Sequence, residues 1–199
     1  PLVTTIVPPM GPTNGYTRVT VRGLEMRGAS LPGCRFGTLI VRGTVGGAGA
    51  DATDSMVCDT PASDGLTGPV YLALSLNGQQ WTAATSRFTF ATPTAVHALL
   101  PDIAPNLGGL VLELSGAHLS GGSDYRCRFG RVCDPLEDEP PTTVEATYDA
   151  ESDTILCTSP AGLLGYVPLA VSLNAQQYSE GGPVLTVYDP DSMESLLLP

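Results

Sequence analysis

The sequence predicts an all-β protein made of two antiparallel sandwiches in tandem, arranged end to end. Three observations support this fold class: the chain repeats itself, its apolar residues alternate with polar ones, and glycine and proline are frequent. There are 23 glycines and 18 prolines among 199 residues, which suits short strands and turns better than long helices. A repeat unit of about 95 residues is large enough to bury one modest core.

The repeat is clearest in the tetrapeptide CRFG, which occurs at residues 34–37 and again at 127–130. Aligning the chain with itself at this offset of 93 residues also superposes the prolines, glycines and apolar residues that precede the motif. After the motif the second copy carries an insertion, and then SLNGQQW at 75–81 aligns with SLNAQQY at 172–178. Self-similarity at a fixed period is the signature of repeated structural units.

The repeat predicts the domain organisation: a first domain at 1–92, a second at 93–190, and the start of a further repeat at 191–199. Residues 193–199 end in the same apolar and proline pattern that opens each unit, so we expect the chain to be a segment of a longer array. Pro93 fixes its own φ and biases the residue before it away from helix. We therefore expect a short extended joint between the sandwiches.

Alternation of apolar and polar residues predicts the strands of each unit. Residues 18–22 alternate, and residues 110–115 alternate in phase with them. The leucines of 72–76 and the apolar residues of 169–173 follow the same rule. A period of two is typical of strands that bury one face.

A turn signal follows the third of these strands in each copy. Asn77-Gly78 predicts a type I′ hairpin turn, whereas Asn174-Ala175 predicts a looser turn. The aromatic residues Trp81 and Tyr178 come just after these turns. Each ring either anchors the hairpin to the sandwich or provides an exposed platform for sugar rings, and the sequence favours the anchor.

Four of the five cysteines occupy equivalent places in the repeat. The alignment places Cys34 on Cys127 and Cys58 on Cys157, which predicts the disulfides Cys34–Cys58 and Cys127–Cys157. Disulfides of this kind indicate an oxidising compartment. The alternative is buried free thiols in a cytosolic protein; a metal site is disfavoured, because no two cysteines have C-x2-C spacing.

The insertion of the second unit carries the fifth cysteine, Cys133, and the acidic residues Asp134 and Glu137, Asp138 and Glu139. We predict an exposed interaction loop that contacts a surface rich in Arg or Lys, within an assembly or on a partner, more weakly at high salt. Cys133 is a candidate covalent link to another chain or to a missing part of this one. The alternatives are an idle thiol or a local pairing with Cys127.

The charge is unevenly distributed. All nine basic residues are arginine, and against 20 acidic residues they leave a formal net charge of −11. Residues 1–92 carry six Arg and five acidic residues, whereas 93–199 carry three Arg and fifteen acidic residues. This acidity and the lack of a basic stripe disfavour nucleic-acid binding. No apolar run approaches the roughly 18 residues of a membrane span.

Candidate catalytic and ligand-binding residues are few. His97 and His118 lie near no nucleophile motif, so we expect no enzymatic activity and no cofactor. Glu137–Glu139, Asp189 and Asp191 are typical of solvated charge, although one isolated calcium site stays open. The sequence has no N-x-S/T sequon, whereas its Thr, Ser and Pro-rich loops leave O-linked glycan open.

Several stretches of the first unit together resemble an IPT/TIG domain, which is an immunoglobulin-like sandwich. They are IVPPMGPTNG at 6–15, TRVTVRG at 17–23, CRFG at 34–37, VCDTP at 57–61, LSLNGQ at 74–79 and FTF at 88–90. The second unit resembles the same domain nearly throughout, and departs at Ala104 and at Val187-Tyr188.

The resemblance implies a function class. Cysteine-paired tandem IPT domains resemble the ectodomains of plexins, Met-type receptors and fibrocystin-like surface proteins, where they act as spacers and adhesive modules. We therefore expect a non-catalytic structural and protein-interaction segment of a long extracellular or cell-surface protein. The alternatives are a carbohydrate-binding accessory region of a secreted enzyme and the ectodomain stalk of a plexin-like or Met-like signalling receptor, because fold alone does not determine function.

Overall fold

The computed structural model describes residues 2–26, 28–46, 55–130 and 141–194. Within these ranges the chain forms sixteen strands and one short helix, Pro190–Glu194, so the all-β prediction is confirmed. The chain divides into two compact units, Pro1–Pro93 and Thr94–Pro199. The predicted start of a further repeat lies partly outside the described residues, and its described part belongs to the helix.

The first unit contains eight strands: β1 Leu2–Val7, β2 Met10–Pro12, β3 Arg18–Leu24, β4 Gly33–Phe36, β5 Leu39–Val45, β6 Ser55–Asp59, β7 Gly68–Ser75 and β8 Ser86–Ala91. The second unit contains eight more: β9 Ala95–Leu100, β10 Ile103–Pro105, β11 Val111–Ala117, β12 Arg126–Phe129, β13 Thr142–Asp149, β14 Thr154–Thr158, β15 Gly165–Ser172 and β16 Val184–Tyr188. The predicted strands therefore exist in both copies.

Both units have the same strand order. Hydrogen bonds link the first unit as β1-β3-β6-β5-β4-β7-β8-β2 and the second as β9-β11-β14-β13-β12-β15-β16-β10. Residues 39–42 of β5 pair with β4, and residues 43–45 pair with β6. Residues 142–145 and 146–149 of β13 divide in the same way between β12 and β14. One strand therefore runs from one sheet to the other and helps to close the sandwich.

The inward residues of these strands form the core of each unit. Phe36, Phe88 and Phe90 lie at the centre of the first core, and their rings meet edge to face with centroids 5.1 to 6.3 Å apart. Val19, Val21, Met26, Met56, Leu72 and Leu74 pack around them. The second unit buries Leu112, Leu114, Phe129, Ile155, Leu169, Val171, Leu185 and Val187. Apolar burial of this kind is the main favourable term in folding.

The backbone explains why the repeat has glycine at both residue 15 and residue 108. Their φ angles are +82° and +73°, a backbone conformation that favours glycine. A Cβ on Gly15 would come within 2.5 Å of the Pro61 backbone, and one on Gly108 within 2.6 Å of the Ala161 backbone. Both conditions exclude a side chain at these two turns.

Candidate functional site

Each unit contains a disulfide that joins its two halves. Cys34 on β4 is bonded to Cys58 on β6, with 6.3 Å between their Cα atoms. Cys127 on β12 is bonded to Cys157 on β14, with 6.4 Å between their Cα atoms. All four cysteines are buried. The hydrogen-bonded order separates the bonded strands by β5 or β13, so each disulfide crosses the core of its sandwich.

The CRFG motif divides its residues between the two faces of its strand. Cys34 and Phe36 point into the core, while Arg35 between them is half-exposed. Cys127, Arg128 and Phe129 repeat this arrangement on β12. Because side chains alternate across a strand, the motif supplies a disulfide and a core ring on one face and a guanidinium group on the other.

The outward arginines of the motif contact the aromatic residues that follow the turns. The Arg35 guanidinium lies 5.0 Å from the centroid of the Trp81 ring. The Arg128 guanidinium lies 4.1 Å from the centroid of the Tyr178 ring. Cation–π contact of this kind contributes about 0.5 to 1 kcal/mol at exposed sites. One face of each ring is thus covered by an arginine of the sandwich.

The turn before each aromatic residue differs from the sequence prediction. Asn77 does not have the positive φ that a type I′ turn requires, so that prediction is wrong. Its side-chain oxygen instead accepts hydrogen bonds from the amides of Gln79 and Gln80, both at 3.0 Å. An asparagine side chain commonly organises the backbone two residues ahead in this way.

The second turn is built like the first. The side-chain oxygen of Asn174 accepts hydrogen bonds from the amides of Gln176 and Gln177 at 3.1 and 3.2 Å. Ala175 adopts a φ of +59° where the first unit has Gly78 at +72°. The prediction of a looser second turn is therefore wrong, because asparagine rather than glycine organises both turns.

The predicted interaction loop lies outside the described residues. This applies to Cys133, Asp134, Glu137, Asp138 and Glu139. The strands that flank the loop are described: β12 ends at Phe129 and β13 begins at Thr142, and these two residues pair with each other. In the first unit the equivalent pair, Phe36 and Leu39, is joined by Gly37 and Thr38 alone. The insertion therefore occupies the position of a two-residue turn.

The described acidic side chains include a group of three at the turn between β13 and β14. Asp149 accepts hydrogen bonds from the Glu151 amide at 3.0 Å and the Ser152 hydroxyl at 2.8 Å. These bonds, the amide first, lower the pKa of Asp149 below its ordinary value of 3.8. The Tyr148 hydroxyl donates to Asp153 at 2.7 Å, which raises the pKa of Tyr148. These hydrogen bonds thus fix the carboxylates of Asp149 and Asp153 within the turn.

The histidines and the acidic residues near the C-terminus have no shared site. His97 lies on β9, and His118 follows β11 with a φ of +58°. Asp189 accepts a hydrogen bond from the Asp191 amide at 3.1 Å and so caps the short helix. In the part of the chain that the structure describes, no three His, Cys, Asp or Glu side chains group closely enough to hold a metal ion. The described helix is too short to cross a membrane.

Comparison with known proteins identifies relatives of both units. Residues 1–90 match the family model of the IPT/TIG domain. Plexin-A2 of Mus musculus is 27% identical over 187 residues, which cover 87% of this chain and 9% of that protein. Plexin-B1 of Homo sapiens is 29% identical over 185 residues, which cover 89% of this chain and 8% of that protein. The chain thus spans less than a tenth of the length of these relatives.

A solved structure shows the same fold. The Plexin A4 full extracellular region superposes with a TM-score of 0.64 at 15% sequence identity, over 94% of this chain and 16% of that chain. At this identity the likeness concerns the fold alone. Residues 1–90 of this chain match the IPT/TIG domain, and the second unit repeats the strand order and the disulfide of the first.

Proposed function

We propose that this chain is a non-catalytic segment of an extracellular multi-domain protein, which spaces other parts of that protein and contacts protein partners. The observation that carries the proposal is the duplication: one immunoglobulin-like sandwich, with one disulfide across its core, occurs twice in tandem. A sandwich with its own core and its own disulfide can fold as an independent module, so tandem copies add length without sharing a core.

Two observations support the extracellular location. Disulfides persist in oxidising compartments and are rare in the cytosol. The relatives are plexins, and the solved structure with the same fold is described as an extracellular region.

The match to the IPT/TIG domain supports a non-enzymatic module. The side chains of Asn77 and Asp149 accept hydrogen bonds from backbone amides of their own turns.

A second candidate is the ectodomain stalk of a plexin-like signalling receptor. It is favoured by the identity of 27 to 29% to plexins across most of the chain. The residues on either side of the chain in the full protein would distinguish the two candidates. A continuing array that ends in a membrane span favours the surface protein, whereas a propeller-like domain and a cytoplasmic signalling tail favour the receptor.

The spacer role rests on the sequence and predicts an elongated particle in small-angle X-ray scattering. Pro93 favours a short extended joint over a folded-back connection. A single compact globule of this length has a radius of gyration of about 16 Å, and two sandwiches in line exceed that value clearly. The measurement uses the Cys133→Ser chain in a concentration series extrapolated to zero, so that neither covalent nor non-covalent association adds length. A radius near 16 Å would contradict the spacer role.

The interaction role predicts a function for the insertion at 131–141. We expect the purified chain to form a covalent dimer through Cys133, visible on a non-reducing gel. Cys133→Ser should abolish this dimer, and so should replacing residues 131–141 with one threonine, which copies the connection of the first unit. Cys127 and Cys157 are unchanged in both variants. A wild-type chain without a covalent dimer, or a dimer that survives Cys133→Ser, would refute this use of the loop.

A further inference from the structure

Four adjacent strands of the first unit, β5, β4, β7 and β8, present an outward face that contains arginine but no carboxylate. Its guanidinium groups belong to Arg35, Arg42 and Arg87, and the exposed Tyr71 and Ile40 lie among them. We call these five residues the arginine face. The opposite side of the same strands carries the buried Cys34, Phe36, Leu72, Leu74, Phe88 and Phe90.

The register of the sheet places these residues on one surface. Arg87 on β8 is directly opposite Tyr71 on β7. Arg35 on β4 is opposite Ile40 on β5, and Arg42 lies two residues further along the same strand. Since neighbouring strands are about 4.8 Å apart, the face spans about 15 Å across the sheet.

Two of the arginines are already ordered by aromatic rings. The Arg87 guanidinium lies 5.1 Å from the Tyr71 ring centroid and donates a hydrogen bond to the Tyr71 hydroxyl at 3.0 Å. Arg35 lies over the Trp81 ring, without such a hydrogen bond. Side chains that are ordered before binding lose less conformational entropy when a partner arrives. Tyr71 and Ile40 nevertheless remain 50% and 62% exposed.

The positive charge of this face is not neutralised within the described part of the first unit. Its described acidic residues are Glu25, Asp59 and Asp64, and none of them lies on the four strands. Asp59 is paired with Arg18 on β3, with 3.0 Å between the guanidinium Nε and the carboxylate Oδ1. Arg35, Arg42 and Arg87 form no ion pair with any carboxylate in the described ranges.

The second unit shows that the fold does not require this face. The residue in the position of Arg42 is Glu145, because Arg42 pairs with Gly33 and Glu145 pairs with the equivalent Arg126. That Arg126 is neutralised by Asp124 at 2.7 Å and Glu145 at 3.3 Å. Alignment of the repeats places Val184 in the position of Arg87. The second unit keeps an arginine only in the position of Arg35, where it has Arg128, so three outward arginines without a carboxylate occur on this sheet in the first unit alone.

We propose that the arginine face of the first unit docks the acidic second unit of another copy of this chain. The second unit has the complementary charge, with fifteen acidic residues and three arginines in residues 93–199. Within it, Glu151 and Asp153 are exposed on the turn between β13 and β14, beside the half-buried Asp149. Arginine is suited to such a partner because its planar fork binds carboxylates with two parallel hydrogen bonds.

This contact is head to tail, because different surfaces of the two copies meet. Such contacts propagate into chains of molecules unless they close into a ring. Two copies with a net charge of −11 each repel one another at long range, so association depends on bringing the unlike surfaces together. This docking contact rests on the interaction role proposed above, for which it specifies the surface and the partner.

The test measures self-association by sedimentation equilibrium, with Cys133→Ser in every chain so that only non-covalent contact is seen. We expect the parent chain to associate as its concentration rises to about 1 mM, a range that detects weak contacts. Arg42→Glu should weaken association roughly tenfold, because it sets like charges against each other. Arg22→Glu is the matched control: it is an exposed strand arginine on β3 in the other sheet, and it changes the net charge equally.

A mixing experiment identifies the partner surface. Glu151→Arg alone should also weaken association, whereas an equimolar mixture of the Arg42→Glu and Glu151→Arg chains should recover it. A parent chain that stays monomeric at 1 mM, or equal losses with Arg42→Glu and Arg22→Glu, would overturn the inference. So would a monomeric chain that binds a sulfated hexasaccharide through Arg42, since the occupant would then be a glycan. The scattering test of the spacer role is independent of all these outcomes.

Discussion

Replacing Phe36 with alanine is expected to lower the free energy of unfolding of the first unit by about 3 to 5 kcal/mol. The ring is 1% exposed, and it contacts Phe88 edge to face with 5.2 Å between centroids. Its removal therefore loses buried apolar surface, leaves a cavity and breaks two aromatic contacts. Trp81 is the only tryptophan, so its fluorescence during urea denaturation reports on the first unit.

Phe129→Ala is the matched control for this change. Phe129 is also fully buried, but the repeat places Leu185 and Val187 where the first unit has Phe88 and Phe90. The second unit should therefore lose less stability than the first, by about 0.5 to 1.5 kcal/mol for each aromatic contact it lacks. Phe129→Ala should leave the Trp81 transition in place. Equal losses in the two units would show that the aromatic contacts add nothing beyond apolar burial.

Removing one disulfide is expected to destabilise its own unit by about 3.5 kcal/mol. In the double variant Cys34→Ala, Cys58→Ala, a loop closed over a separation of 24 residues opens, and the unfolded state gains the corresponding entropy. The second disulfide closes a separation of 30 residues, which changes the expected loss only slightly. Total stabilities of about 5 to 15 kcal/mol are usual, so each loss is a large fraction.

The two disulfide variants serve as controls for each other. Cys127→Ala, Cys157→Ala should shift the circular-dichroism transition of the second unit and leave the Trp81 transition unchanged. Cys133→Ser should shift neither transition, since Cys133 has no counterpart in the repeat. Mass mapping of the unreduced chain should recover the two linked peptide pairs. Four free thiols at these positions would contradict both the pairing and the extracellular location.

The sequence by itself determined the features that depend on local spacing or on the repeat. The period of two at residues 18–22 and 110–115 located strands because side chains of a strand alternate between faces. The repeat assigned equivalent places to four cysteines without knowledge of the topology. The asparagine turns were located but misinterpreted, because Asn-Gly is compatible both with a type I′ turn and with a turn organised by the asparagine side chain.

Only the tertiary structure decided which side chains meet across strands. Arg35 and Trp81 are far apart in the sequence, and their contact requires both the outward orientation of β4 and the return of the chain after β7. The sequence carried one signal for this contact: both the arginine and the later aromatic residue recur in the second unit. The arginine face was hidden for the same reason: only the strand order places Arg42 and Arg87 on the same surface as Arg35. Spacing along the chain specifies a strand, but register between strands specifies a surface.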